Sequence, residues 1–398
     1  MHCKPIKSIL LLISLSLISS WAYGQAEEKK EIDVNFLFNY YSQDGDHAAV
    51  TGGTGTQDLQ DRATEIDINI PLDSISAIFF YTHLNVYTSA STDNIDSRMS
   101  SASREDVRAS AEVGYTKDYN DRHTYSISAG GSTETDYLST YIKGGWSIGS
   151  DDDNRELGLN ASAYFDTWLP IFPEEIRGTN NAIITTNKRN SYALSAVYSQ
   201  VINKKLQASL LFDLVYQKGL LSTPFHRVYF VDEDLPKIEK LPDSRWKYPL
   251  GLRLNYYIND YFIGRFFYRY YADDFGIAAH TADIELPISI TPYLTISPFY
   301  RFHTQTKADF FAAYQQHSID QEYYTSDYDL SGFNSHKLGL GIYYSPLYGI
   351  GRMKLSKNKL SILKGIAIRA ANYRRSDGLE AFLISLNCDI SILANKRN

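Results

Sequence analysis

Arg265 and Arg269 lie four residues apart, and Phe262, Phe266, Tyr268 and Tyr270 take alternate positions around them. Side chains on an extended chain point to opposite faces in turn, so the arginines share one face and the aromatic rings the other. The same parity places Arg253 in the preceding stretch, Asp283 and Glu285 in the following one, and Arg301 and His303 beyond, on the arginine side. Such a face can brace neighbouring strands as a salt-bridge lattice, or select solutes as a charged constriction. Acid and base alternate from strand to strand, which favours bracing. Catalysis is the rival chemistry. Ser297 and His303 share the inward face, but a serine–histidine pair must lie within hydrogen-bond reach. Six strand residues at about 3.3 Å each separate the two by about 20 Å. The chain therefore reads as a non-enzyme.

Four other motifs suggest ligands, and each has a plainer explanation. Thr51-Gly52-Gly53-Thr54-Gly55-Thr56 resembles a phosphate cradle but lacks the lysine and helix of a P-loop, so a flexible surface loop is expected. Asp151-Asp152-Asp153-Asn154 lacks the later ligands of a calcium loop and reads as a solvated hairpin turn. Asp273 and Asp274, beside Phe275-Gly276, form an acidic turn that a luminal arginine can clamp. His226 with Asp232, Glu233 and Asp234 has metal-ligand chemistry, but a polar surface loop is the default, so no metal site is assigned. No cysteine-based haem or metal motif occurs, and no cofactor is expected.

The elements that must hold these residues are strands. In the last segment Phe382, Ile384, Leu386, Cys388, Ile390 and Ile392 alternate with Ser385, Asn387, Asp389 and Ser391. Ile32, Val34, Phe36, Phe38 and Tyr40 repeat the pattern near the start. The alternation predicts about sixteen strands, near 31–41, 62–72, 75–88, 104–117, 122–133, 136–149, 154–167, 189–201, 205–217, 246–258, 261–272, 277–287, 293–304, 335–346, 361–374 and 379–393. Many exceed the usual five or six residues and suit a tilted bilayer crossing. Even-to-odd connections are mostly tight and odd-to-even ones hold the long insertions, apart from the basic stretch Leu347–Leu360. The expected fold is all-β: a transmembrane antiparallel β-barrel with short periplasmic turns and long extracellular loops folding over its mouth. Tyr256, Tyr257, Tyr261, Phe262, Tyr268, Tyr270 and Tyr271 are expected to form part of an interfacial aromatic girdle.

Lys4 and Lys7 precede an apolar run from Ile9 to Ile18, and Ala22-Tyr23-Gly24 supplies small residues for cleavage before Gln25. Residues 1–24 are thus expected to be a signal peptide and 25–398 a single outer-membrane β-barrel domain. Its removal leaves only Cys388, so no internal disulfide is expected. A net charge of −7 argues against nucleic acid as a partner. Outer-membrane lipid and the barrel-assembly machinery are the partners this architecture requires. The 32 tyrosines favour an interfacial barrel over a soluble sandwich or propeller.

Several stretches carry a resemblance. They include Ala49-Val50-Thr51-Gly52-Gly53-Thr54-Gly55-Thr56, Ser89-Ala90-Ser91, His226-Arg227-Val228-Tyr229-Phe230 and Leu241-Pro242-Asp243-Ser244-Arg245. Arg269-Tyr270-Tyr271-Ala272-Asp273-Asp274-Phe275-Gly276, Phe302-His303-Thr304-Gln305-Thr306 and Ala308-Asp309-Phe310-Phe311 follow. Ser326-Asp327-Tyr328-Asp329-Leu330-Ser331 and Arg375-Ser376-Asp377-Gly378-Leu379 complete the set. In this order the chain resembles a bacterial outer-membrane β-barrel family, family 3570 of domains of unknown function. The resemblance implies an outer-membrane location and no established activity. The barrel itself is expected to serve as a porin-like conduit or an envelope-module component, with a surface or partner-binding barrel without an open pore as the alternative and an outer-membrane enzyme behind both. Its relatives' proximity to flavin-transfer and thioredoxin-like proteins implies a periplasmic or surface redox partner. The ending Ala394-Asn395-Lys396-Arg397-Asn398 departs from the terminal aromatic residue of many barrels.

Overall fold

The computed structural model describes residues 31–88, 105–170, 172, 175, 178–180, 184–231, 233–356 and 358–394. The expected signal peptide, Ser89-Ala90-Ser91, Asp232 and residues 395–398 lie outside them. Sixteen antiparallel strands form the wall. They are β1 Glu31–Asp44, β2 Leu59–Pro71, β3 Ser76–Thr88, β4 Glu105–Asp118, β5 His123–Thr133, β6 Tyr137–Gly149, β7 Arg155–Trp168 and β8 Lys188–Asn203. β9 Leu206–Gly219 precedes β10, which runs as Ser244–Lys247 and Leu250–Asn259. β11 Phe262–Ala272 precedes β12, which runs as Ala278–Glu285 and Ile288–Thr291. β13 Leu294–Gln305, β14 Phe333–Tyr344, β15 Lys359–Arg375 and β16 Glu380–Ala394 complete the circuit. The sheet closes where β1 pairs with β16, from Glu31↔Leu393 to Asp44↔Glu380. Closure satisfies every edge, which a strand protein in lipid requires. Sixteen strands about 4.8 Å apart and tilted near 40° close at a diameter of about 30 Å.

Proline causes two breaks in the wall. Pro249 lacks an N–H and splits β10. Pro287 splits β12, but the strand resumes and runs to Thr291, beyond the expected end at 287. The basic connection Leu347–Leu360 is itself partly strand: Gly351–Ser356 pairs with the start of β15 and extends the wall as a hairpin.

The outer surface is apolar along the strands. Leu84, Val113, Ile127, Ile142, Leu194, Leu210, Ile284, Leu338 and Ile368 are all exposed there. A fully exposed side chain of this size forgoes ~1.5–3 kcal/mol of burial, so a continuous band of them belongs against hydrocarbon. The protein is an outer-membrane β-barrel.

The fully buried large side chains lie elsewhere. Val228, Phe230, Phe275, Ile277 and Ala308 are buried in or beside the long extracellular connections, and Phe275, Ile277 and Ala308 share one cluster with Leu221, Leu241, Tyr271 and Phe310. Tyr271 therefore packs under the loops and leaves the expected girdle. The loops after β1 and β9 leave the wall eight strands apart, on opposite sides of the mouth, yet they touch. Arg227 donates to the Val50 carbonyl, and a Cβ on Gly52 would sit 2.6 Å from the Tyr229 ring. The glycine-rich segment is thus a packed part of a cap, and the expectation of a flexible surface loop is corrected. Gly52, Gly53 and Gly55 each take positive φ there, which explains the residue type.

Candidate functional site

The predicted charged face does converge inside the barrel, though not in every pairing. Arg265 stands opposite Glu285 across the β11–β12 ladder, with Nη1 3.4 Å from Oε1. Arg301 stands opposite Asp283 across β12–β13, with Nε 2.6 Å from Oδ1. Arg253 faces Phe267, its guanidinium 5.9 Å from the ring centre. Arg269 stands between Gly251 and Thr281, and among the described residues no carboxylate lies within ion-pair distance of it. Cross-strand ion pairs therefore form at Arg265 and Arg301 and not at Arg269, whose cross-strand neighbours carry no charge.

His303 binds within the wall. Its Nδ1 lies 2.8 Å from Thr281 Oγ1 and its Nε2 3.2 Å from Gln305 Oε1. Both ring nitrogens are engaged, and neither partner is a serine.

Arg369, which the sequence pattern does not single out, completes the group. Its Nη2 lies 3.1 Å from Glu285 Oε2, and its guanidinium sits 4.3 Å from the Phe299 ring centre. Gly339 permits this arrangement, because a Cβ there would lie 2.2 Å from Phe299 Cζ. A signal exists: Arg369 has the inward parity of β15, but nothing in the sequence fixes which strand it leans toward. Arg253, Arg301, Lys337 and Arg369 line one cavity of 530 Å³ with Asp283 and Glu285. Its lining runs from Arg253 on β10 round to Asn39 on β1, so it crosses much of the lumen.

The opposite half of the lumen is built differently. Glu112 accepts hydrogen bonds from Ser128 Oγ at 2.6 Å, Tyr141 Oη at 3.1 Å and Lys143 Nζ at 2.7 Å. Arg189 donates to Asp166 at 2.9 Å. Glu65 and Asp67 on β2 and Asp61 beside them share that inward face. Acids paired with Lys143 and Arg189, together with the carboxylates of β2, thus stand across from the arginine wall.

The cap is tied by charged side chains. Arg375 donates to Asp377 at 2.6 Å, to Asp329 at 2.5 Å and to the Tyr328 carbonyl at 2.7 Å, and lies 3.9 Å from the Phe333 ring centre. Asp273 is clamped as expected, and the arginine is Arg245 at the start of β10, with Nε 3.0 Å from Oδ2. Asp273 Oδ1 also accepts the N–H groups of Phe275 and Ile277, each at 3.0 Å. His226 has neither Glu233 nor Asp234 within ion-pair distance, and Asp232 lies outside the described residues. Its carboxylate neighbours are Glu239 and Asp327. Burial pushes the Asp327 carboxyl up to about 6; His226 opposes the rise, and Asp329 and Glu239 add to it.

The family described as "Protein of unknown function (DUF3570)" matches residues 24–349. The chain belongs to this family. Among solved structures, the DUF3570 barrel is similar to a bacterial polysaccharide outer membrane secretin at 7% identity and TM-score 0.45, covering 92% of this chain and 98% of that one. It is also similar to a BenF-like porin from Pseudomonas fluorescens Pf-5 at 8% identity and TM-score 0.42, over 90% and 98% of the two chains. The outer membrane protein opdK from Pseudomonas aeruginosa is 7% identical with TM-score 0.42, over 90% and 99%. No curated protein matches the sequence.

Proposed function

We propose that this porin-like barrel is a capped, anion-preferring conduit for small solutes. The observation that carries the reading is the cavity in which Arg253, Arg301, Lys337 and Arg369 outnumber Asp283 and Glu285. A confined site with excess positive charge lowers the barrier for anions and raises it for cations. Both carboxylates already hold arginines in place, so the lattice and the selective constriction use the same residues. Thr281 and Gln305 engage His303 on both nitrogens, which supports transport over catalysis.

Planar-bilayer recordings of the refolded protein in a potassium chloride gradient test the proposal. A reversal potential on the chloride side supports it, and cation preference overturns it. A second reading draws on the cap that crosses the mouth: a partner-binding barrel without an open pore. It expects no conductance steps even after the cap is loosened.

A further inference from the structure

Glu239 lies in the cap with its side chain only 2% exposed. Its Oε1 accepts from Thr325 Oγ1 at 2.5 Å, and its Oε2 accepts the Thr223 N–H at 2.7 Å. Among the described residues no lysine or arginine lies within 4.0 Å of Glu239 or Asp327. A buried carboxylate needs a compensating charge or it is costly to keep ionised. The group that faces it is His226, whose Nδ1 is 3.7 Å from Glu239 Oε1 and 3.9 Å from Asp327 Oδ2. That nitrogen is buried and has no hydrogen-bond partner. Both separations are too long for a hydrogen bond. They are close to what two ligands show when each sits about 2.0–2.2 Å from a shared ion.

The three donor atoms lie within 4.8 Å of one another, and the backbone holds them there. The His226 N–H donates to the Thr223 carbonyl at 3.1 Å, and the Glu239 N–H donates to the His226 carbonyl at 3.0 Å. Asp327 is fixed from the other side, its Oδ1 accepting the Asp329 N–H at 2.9 Å. We propose that His226, Glu239 and Asp327 bind one divalent transition-metal ion of the zinc class. A neutral imidazole with two carboxylates matches a doubly charged ion, and a nitrogen ligand favours zinc over calcium, which takes oxygen alone. Glu239 and His226 belong to the loop after β9, and Asp327 to the loop after β13. The ion therefore staples two loops of the cap together. This site stands apart from the luminal charges and does not depend on the conduit reading.

The test uses the full refolded barrel, freed of metal by a chelator and dialysed against zinc, with bound metal measured by elemental analysis and unfolding followed by heat. One zinc per chain is expected, with a higher melting temperature in zinc than in chelator. Asp327→Asn and His226→Ala should weaken binding at least about tenfold and abolish the zinc-dependent shift. Heat-modifiable gel migration confirms that each variant still forms a barrel, and the near-isosteric Asp327→Asn guards against a folding defect in the other. Absence of stoichiometric zinc, equal binding by the variants, or displacement of zinc by equimolar calcium would each overturn the proposal.

Discussion

Arg369 on β15 reaches Glu285 on β12, with Nη2 3.1 Å from Oε2, although β13 and β14 stand between their strands. The guanidinium passes over Phe299, whose ring occupies the space a Cβ on Gly339 would take. Arg265 holds the same carboxylate from the other side at 3.4 Å. One carboxylate thus joins arginines from two separate strands, and the inner wall is bridged along a chord as well as through its ladders.

Replacing Arg369 by Ala should separate stability from selectivity. Arg369 is partly exposed and Glu285 keeps Arg265, so solvent screening limits the loss to about 1 kcal/mol or less. Melting should fall only slightly. Anion preference should fall clearly, because one of the four cations around the cavity is gone. An unchanged reversal potential in an R369A bilayer recording would place the selective point away from Glu285.

Arg375 is the corresponding hub of the cap. Its side chain is 5% exposed, and it bonds Asp377, Asp329 and the Tyr328 carbonyl. Arg375→Ala leaves Asp377 confined without its partner, an effect on the order of 3 kcal/mol where the pair is fully buried. The barrel ladders are untouched, so the variant should keep heat-modifiable migration. Residues 306–332 should become sensitive to protease added outside intact cells. Equal cleavage of wild type and variant would mean that this arginine does not hold the cap.

Much of this architecture is legible in the sequence because lipid imposes a period of two on every strand. The same parity places Arg253, Arg265, Arg301 and His303 on the inner face. Contacts that obey no period are not legible in this way. Arg369 has the right parity, but its partner depends on a glycine of the adjacent strand. His226 stands near Glu233 and Asp234 in sequence, whereas folding brings Asp327 from another loop to it. The packing of Gly52 against Tyr229 is equally non-local. Loop-to-loop pairing is set by closure of the barrel, which brings together chain segments far apart in sequence.

The extracellular turn between β5 and β6 should respond to pH. Glu134 and Asp136 lie beside Asp106, with carboxylate oxygens within 4.8 Å of one another. Burial raises the carboxyl pKa of both, Asp136 adds to the rise at Glu134, and Asp106 adds to it at Asp136. The folded state therefore holds these protons more tightly than the unfolded chain. That contribution to stability is full below the ordinary carboxylate range and is lost as pH rises through the raised values. Asp136→Asn should accordingly stabilise the protein at pH 7, by less than about 1 kcal/mol at this partly exposed site. The gain should vanish near pH 3. A gain of equal size at both pH values would show that charge is not its cause.

Cys388 provides a direct test of strand register. It stands opposite Phe36 on β1 and Ile366 on β15, which places it on the lipid face. Its neighbour Asn387 points inward, where its Nδ2 donates to Asp389 Oδ1 at 3.1 Å. A one-residue slip would exchange these faces along the whole strand. In intact membranes a charged, water-soluble thiol reagent should leave Cys388 unmodified, because the reagent cannot enter hydrocarbon. In a Cys388→Ser background, Asn387→Cys should react, since its thiol would stand in the polar lumen. Detergent solubilisation or denaturation should then expose native Cys388 as a reactive thiol, which shows that its position in the bilayer protected it and that it was not oxidised. Rapid labelling of Cys388 in membranes, with protection at position 387, would reverse the inward assignment of β16. Through the ladder it would also reverse the assignment of Arg369 on β15.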